Sequence, residues 1–217
     1  VRVRVSDQHN YFLDKNFTIQ VEDMDEGTAP TLGDGSEENP FQIHTLAHLK
    51  WLSFTESVWQ NKHFIQTSDI NATETKNWAN GYGFRPVGPK TGAFKGNYDG
   101  QGFQIRNLFI YRPNDKRSAG LFSRVHHSDL KNIRILDANI TGNLYVGGIA
   151  GNSDNVTIEN SSFEGAIIGA QVGGLIGRNE SSQIIGSFSN GSVYTNEVWA
   201  GGIAGYSGGS EIINCYS

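Results

Sequence analysis

The sequence predicts an all-β protein: a parallel β-helix, or solenoid, with one short capping helix and a β-hairpin segment at its start. Three observations predict it. First, one phrase recurs, as Val146-Gly147-Gly148-Ile149-Ala150-Gly151, Val172-Gly173-Gly174-Leu175-Ile176-Gly177 and Ala200-Gly201-Gly202-Ile203-Ala204-Gly205, with a degenerate first copy at Ser118-Ala119-Gly120-Leu121-Phe122-Ser123. Aligned on Gly120, Gly148, Gly174 and Gly202, the spacings are 28, 26 and 28 residues, a near-fixed period that signals stacked repeats. Second, a branched aliphatic follows at a constant offset, at Leu130, Ile158, Ile184 and Ile212, with Asn132, Asn160, Gly186 and Asn214 two residues later. Third, both landmarks are short, β-prone and bounded by glycine, and nothing between them has helical period or length. One such unit cannot bury its apolar residues alone, so units must stack, each landmark forming a column at about 4.8 Å per rung. Glycines suit corners and close backbone approach. The Asn column is expected to form an amide ladder, as stacked strands allow.

The rest of the chain divides as 1–26, a β-strand segment; 27–40, a linker; and 41–217, the β-helix, with its cap at 41–93 and its rungs at 94–217. Val1, Val3 and Val5 alternate with Arg2 and Arg4, and Phe17, Ile19 and Val21 alternate again, so the two runs predict a hairpin. Gly27 to Pro40 holds three Gly and two Pro among acids and Thr, the composition of a boundary. Phe41 to His44 reads as a strand. Thr45 is a suitable N-cap, and Leu46, Leu49 and Leu52 make one apolar stripe, so a helix over about 45–53 covers the open end of the core. His63 to Thr67 reads as a strand. Residues 73–93 read as a long loop in which Trp78, Tyr82 and Phe84 are either a ligand platform or a satellite core. Asp99-Gly100 marks a turn inside the first full rung.

These residues carry a resemblance. The Gly-Gly phrases followed by Ile-x-Asn, together with Phe94 to Leu108 upstream, resemble the GLUG repeat region of bacterial adhesin-like surface proteins, over roughly residues 38–217. The resemblance implies a right-handed β-helix in a secreted or cell-surface protein; it is specific for fold and weak for activity. Asn16 to Asp23 resembles the last strands of a bacterial cadherin-like domain. Linkers of that type hold Ca²⁺ with carboxylates, which makes Glu22, Asp23, Asp25 and Glu26 a candidate calcium cluster. A solvated acidic linker is the alternative, because Ca²⁺ wants six to eight oxygens.

Composition narrows the function. The chain has 217 residues, 27 glycines and a net charge of −5. After Lys131 there are two basic residues against seven acidic ones, a net of −5 for that stretch alone. Nucleic acids and anionic membranes need a basic stripe, so neither is expected as a partner. No apolar run approaches the ~20 residues of a membrane span. The chain opens in a strand pattern and stops mid-strand, so it reads as a piece of a longer protein. Cys215 is the lone cysteine and is expected to pack in the column of Ile133, Ser161 and Ser187.

Catalysis was tested by column. Asp154 and Glu180 are the one acidic pair in register, in a column with His126 and Gly208; a glycosidase needs two facing carboxylates. Lys131, Glu159, Ile185 and Ile213 form another column, and Asp137, Gly165 and Gly191 a third. Adjacent His126 and His127 are expected on opposite faces of a strand. His44 and His48 have His-x-x-x-His spacing but lack the Glu of a zinc-helix motif, and His44 precedes the helix. Asp115 reads as a solvated loop acid. The expectation is therefore a non-catalytic extracellular stalk or binding module, without a certain cofactor, that contacts surface glycans or copies of itself. The alternatives are a self-assembling fibre subunit using the N-terminal strands for strand addition and a carbohydrate-active β-helix enzyme.

Overall fold

A computed structural model of the chain describes residues 2–6, 12–16, 26–88, 92–195, 197 and 199–217. It is a parallel β-solenoid of about four turns with only short helices. Three faces run along it. The first stacks Phe41–Ile43, Gln60–Gln66, Lys95–Asp99, Phe122–Lys131 and Ala150–Glu159, and continues on Ile176–Glu180 with Gln183–Ile185 and Ala204–Gly208 with Glu211–Ile213. The second stacks Ile70–Asn71, Gln104–Arg106, Arg134–Thr141, Ser162–Ile168 and Phe188–Tyr194, with Phe109–Tyr111 also on Arg134–Thr141. The third, shorter face stacks Tyr145–Gly147, Gln171–Gly173 and Trp199–Gly201.

Register sets the core. Leu130 lies opposite Ile158, Ile158 opposite Ile184 and Ile184 opposite Ile212. Leu121, Ile149 and Leu175 are linked in the same way by rung-to-rung hydrogen bonds and are fully buried. The Gly-Gly phrase sits where backbones touch. A Cβ on Gly148 would lie 2.1 Å from the Phe163 ring, and one on Gly174 2.0 Å from the Gly202 carbonyl. No side chain fits there without moving a rung.

The Asn column does a different job from the one expected. Asn132, Asn160, Gly186 and Asn214 all have φ between 48° and 57°. They are left-handed corners, a conformation that Asn and Gly reach at low cost. Their amides turn outward: Asn132 donates to Asp99 (2.8 Å) and Asn160 to Glu159 (3.3 Å), so no amide ladder runs down the axis. A second left-handed corner recurs at His127, Asn155, Ser181 and Gly209. It separates the two straight halves of each rung on the first face.

Behind most corners stands a serine, buried at Ser128, Ser161, Ser182 and Ser187 and half-buried at Ser210. Ser161 Oγ donates to its own rung's Glu159 carbonyl (2.8 Å) and accepts the Ile133 N–H of the preceding rung (3.1 Å). Ser187 repeats this with Ile185 and Ser161 (2.9 and 3.0 Å). Ser182 does the same at the other corner, with Glu180 and Val156 (2.6 and 3.0 Å), and Ser210 accepts from Ser182 (3.1 Å). The hydroxyls satisfy N–H groups that the bend removes from the strand ladder, which buried backbone requires. Cys215 takes the same place in the last rung, half-buried, with Sγ 3.3 Å from the Ile213 carbonyl.

The opening elements depart from the sequence reading in two ways. Arg2–Ser6 pairs antiparallel with Phe12–Asn16, the segment just before the alternating Phe17 to Val21 run; that run lies outside the described residues. The 27–40 stretch is laced onto the cap: Thr28 N–H donates to Ala47 O (3.1 Å), Gln42 N–H to Leu32 O (3.1 Å) and Lys62 Nζ to Asp34 O (2.9 Å). The helix spans Leu46–Phe54, and Thr45 Oγ1 caps it by accepting from His48 N–H at 3.1 Å. Leu49 and Leu52 are fully buried at the core end.

Four substitutions at three positions test this architecture by urea unfolding. Asn160→Gly is expected to leave stability almost unchanged, whereas Asn160→Val forces a branched residue into a left-handed corner and should cost about 1–2 kcal/mol. Ile184→Ala, in the fully buried column, should cost about 2–5 kcal/mol. Ser182→Ala strands the buried Val156 N–H and should cost about 1–3 kcal/mol.

Candidate functional site

The regular rungs bear their polar groups outward in tight columns, so a concavity has to come from irregular segments. Three of them converge beside the cap. The helix supplies Lys50 and Phe54. Asn71 Oδ1 accepts from Thr73 N–H (3.0 Å) and starts two short 3₁₀ turns over Thr73–Gly81, joined by a kink at Trp78–Asn80. The loop after Phe109–Tyr111 supplies Arg112, Asn114, Asp115 and Arg117. Together they line an open cleft of about 610 Å³, floored by Trp78, Tyr82, Gly83 and Arg85.

Each wall is held by named contacts. Gly83 has φ +78°, and a Cβ there would lie 2.3 Å from Phe109 O, so the 73–88 segment presses directly on the second face. Phe84 N–H donates to Phe109 O (2.8 Å), and Val87 N–H to Leu121 O (3.0 Å). Phe84 and Val87 are fully buried. The segment therefore splits the two roles that its aromatics could play. Phe84 is core and cannot be a ligand platform; Trp78 is partly buried with Lys50 Nζ 4.7 Å above its ring; Tyr82 is half exposed. The Arg112 loop is fixed by Arg112 N–H to Thr141 O (2.8 Å), by Asp115 N–H to Arg112 O (3.2 Å) and by Asn143 Nδ2 to Pro113 O (2.7 Å). Asp115 is not a solvated acid: its carboxylate accepts from Arg117 Nε at 2.6 Å and lines the cleft.

The cleft is electropositive. Arg85 lies 4.7 Å over the Phe54 ring and 3.5 Å from Glu56. Arg112 is the least compensated: its Nε is buried and has no hydrogen-bond partner. Burial, with Arg117 and Arg85 nearby, pushes the Arg112 guanidinium below its ordinary range, against the pull of Asp115. Burial acts in the same direction on Arg85. Both remain cations at neutral pH. The charge census by chain halves missed this concentration, although one signal was present: between residues 82 and 124 the basic residues are Arg85, Lys90, Lys95, Arg106, Arg112, Lys116, Arg117 and Arg124, and the acidic ones only Asp99 and Asp115.

The other candidate residues fall elsewhere. Asp154 and Glu180 are in register, but each has its own base: Asp154 is 3.3 Å from His126, and Glu180 is 2.6 Å from Arg178, which also donates to Tyr145 (2.8 Å). Asp137 does not share a column with Gly165, because a bulge puts Ala138 there; Asp137 instead meets Arg106 at 3.3 Å. His126 and His127 are not on opposite faces. The left-handed corner at His127 cancels the strand alternation, and the rings lie 3.9 Å apart. Lys131 meets Asp99 (3.6 Å) across the rungs. Glu26 is exposed, and Glu22, Asp23 and Asp25 lie outside the described residues. Among the described residues, no helix is long and apolar enough to cross a membrane.

With this geometry in view, comparison with known proteins is informative about fold. No family model matches the chain. It is 34% identical over 159 residues to halomucin of Haloquadratum walsbyi, covering 72% of this chain and 2% of that protein. It is 29% identical over 185 residues to a "Putative Gly-rich membrane protein" of Evansella cellulosilytica, covering 69% of this chain and 21% of that one. It is 29% identical over 135 residues to an immunoglobulin A1 protease of Streptococcus sanguinis, covering 61% of this chain and 7% of that one. The chain thus spans only a small part of each relative's length. Among solved structures, a "putative immunoglobulin A1 protease" from Bacteroides ovatus superposes with a TM-score of 0.60 at 14% identity, over 85% of this chain and 76% of that one. That likeness establishes a shared β-helical fold.

The helix that walls the cleft carries a pH-sensitive contact. His48 is buried, and its Nδ1 accepts the His44 N–H at 3.4 Å. Burial, then the neighbouring His44, lowers its pKa from 6.5. The unfolded chain binds this proton more readily, so the stabilising contribution is complete above about pH 6.5 and is lost as pH falls through the lower folded value. The melting temperature should therefore drop between pH 7 and pH 5, and His48→Asn, which keeps an acceptor without a titrating ring, should drop less over the same interval.

Proposed function

We propose that this chain is a non-catalytic, extracellular β-helical stalk whose cap carries a binding cleft for surface glycans. The observation that carries the reading is the cleft itself: a half-exposed Tyr82 and a partly buried Trp78 beside guanidinium groups, built by irregular segments on a stiff rod. Aromatic faces with adjacent polar groups suit a sugar ring, which is apolar on one face and hydroxylated at its rim. The rod suits extension, since every rung rests only on its neighbours. The names of the relatives, a mucin, a membrane protein and an immunoglobulin protease, support a site of action at or outside the cell surface. On this reading the repeats are of GLUG type and the β-helix covers 41–217. The first 26 residues are then the end of a cadherin-like unit, with Glu22, Asp23, Asp25 and Glu26 as its calcium cluster. The ion pairs at Asp154 and Glu180 support the non-enzymatic side of the proposal, because each carboxylate is already engaged.

The second reading is a self-assembling fibre subunit, in which the strands of residues 1–26 add to a β-edge of another copy.

A glycan array and light scattering separate the two. The leading reading expects captured glycans and loss of capture in Tyr82→Ala, with a monomer at all concentrations. Growth of large particles with concentration, without glycan capture, would replace it with the fibre reading. Release of reducing ends from any captured polysaccharide would instead make the protein an enzyme.

A further inference from the structure

The glycan-binding reading leaves the kind of glycan open, and the surroundings of the cleft narrow it. Two smaller concavities adjoin the first. One, of about 100 Å³, shares Arg85, Arg112, Asp115 and Arg117 with it. The next, of about 240 Å³, shares Arg117 and Ser118 with the second and adds Lys116, Arg124, Tyr145 and Asn152. The three form one groove that runs from the cap across the Arg112 loop onto the first regular rungs. Among the described residues its lining includes Arg85, Arg112, Lys116, Arg117 and Arg124, and a single carboxylate, Asp115. This sits in a protein whose net charge is −5.

We propose, building on that reading, that the groove binds a linear acidic polysaccharide, a chain carrying a carboxylate or sulfate on successive sugars. Spaced guanidinium groups match spaced anions, and Arg pairs with them through a planar fork of donors. Arg112 is the anchor. Its buried, unpartnered Nε is a donor that a ligand oxygen would satisfy, and buried donors are rarely left alone. The acceptors matter equally. Asp115, with the side-chain carbonyls of Asn80 and Asn114, can take hydroxyl hydrogens, which sugars have in abundance. A DNA backbone offers no such hydroxyls along its length. Tyr82 and Trp78 stand at one end only, so they would seat a single sugar while the remaining sugars are held by charge.

The test is calorimetric titration of the whole chain with polygalacturonate, chondroitin sulfate, dextran sulfate, neutral dextran and a single-stranded DNA of matched charge. Acidic glycans are expected to bind, at least tenfold more tightly than neutral dextran or DNA, with affinity falling as salt rises. The carboxylated and sulfated probes then tell which anion the site prefers. Arg112→Gln should weaken binding tenfold or more. Because Arg112 is partly buried, the exposed Arg124→Gln is the independent variant, expected to weaken binding severalfold with an unchanged melting temperature. Arg134→Gln, exposed on the second face away from the groove, should bind as the parent does. Unaltered binding by Arg124→Gln and Arg112→Gln would overturn the groove. DNA bound as tightly as the glycans would reduce it to a general polyanion surface and overturn it too. Neutral dextran bound as well as the acidic chains would overturn the acidic class while leaving the glycan-binding reading standing. No glycan bound at all would sink both.

Discussion

Everything in this structure depends on one constraint: each rung hydrogen-bonds to the next through parallel strands, in register, over three faces. Once that holds, each strand residue of the repeats acquires a neighbour 26 to 28 positions away and becomes part of a column. A column accepts only what stacks. Fully buried aliphatics stack well, as Leu130, Ile158 and Ile184 do. Backbones that approach to van der Waals contact at the Gly-Gly phrase admit no Cβ. Bent corners demand positive φ, and they also take N–H groups out of the ladder. The repeat therefore recruits Asn or Gly for the bend and Ser for the orphaned donor, at two corners per rung. The serines are small, but without them the corners would bury unsatisfied backbone at every turn.

The same constraint explains why the cleft lies at the cap. A regular solenoid presents near-flat columns whose charged residues find opposite partners on the next rung or two positions along their own strand, as Lys131 with Asp99 and Arg178 with Glu180. A concavity needs chain that leaves the lattice. Here the helix, the kinked 3₁₀ segment and the Arg112 loop do so, and each is pinned back by a few backbone hydrogen bonds. The result is a rigid rod with an adaptable, electropositive mouth on its flank. Cations there outnumber the carboxylates that face them: Asp115 engages Arg117 and Glu56 lies beside Arg85, while Arg112 Nε has no hydrogen-bond partner, so the groove is positive although the protein is acidic.

Much of the fold was legible because solenoid contacts are local in sequence. The 28-26-28 spacing, the recurring glycines and the helix signal of the Thr45 N-cap with Leu46, Leu49 and Leu52 all report on neighbours within one repeat length. Legibility failed where a local bend broke a simple rule. His127 defeats strand alternation, and a bulge after Ile135 shifts Asp137 out of its column. The Asn residues fit both a ladder and a corner by composition, and only their dihedral angles distinguish the two.

By itself the sequence determined the repeat length, the columns and the all-β class, because each rung buries its apolar residues only against copies of itself. The tertiary structure alone decided the groove. Phe54, Trp78, Arg85 and Arg112 belong to no repeat, and no spacing rule relates them. They meet because three irregular segments fold over one end of a stiff core, and that packing separates Phe84, which is sealed inside, from Tyr82, two residues earlier, which faces solvent.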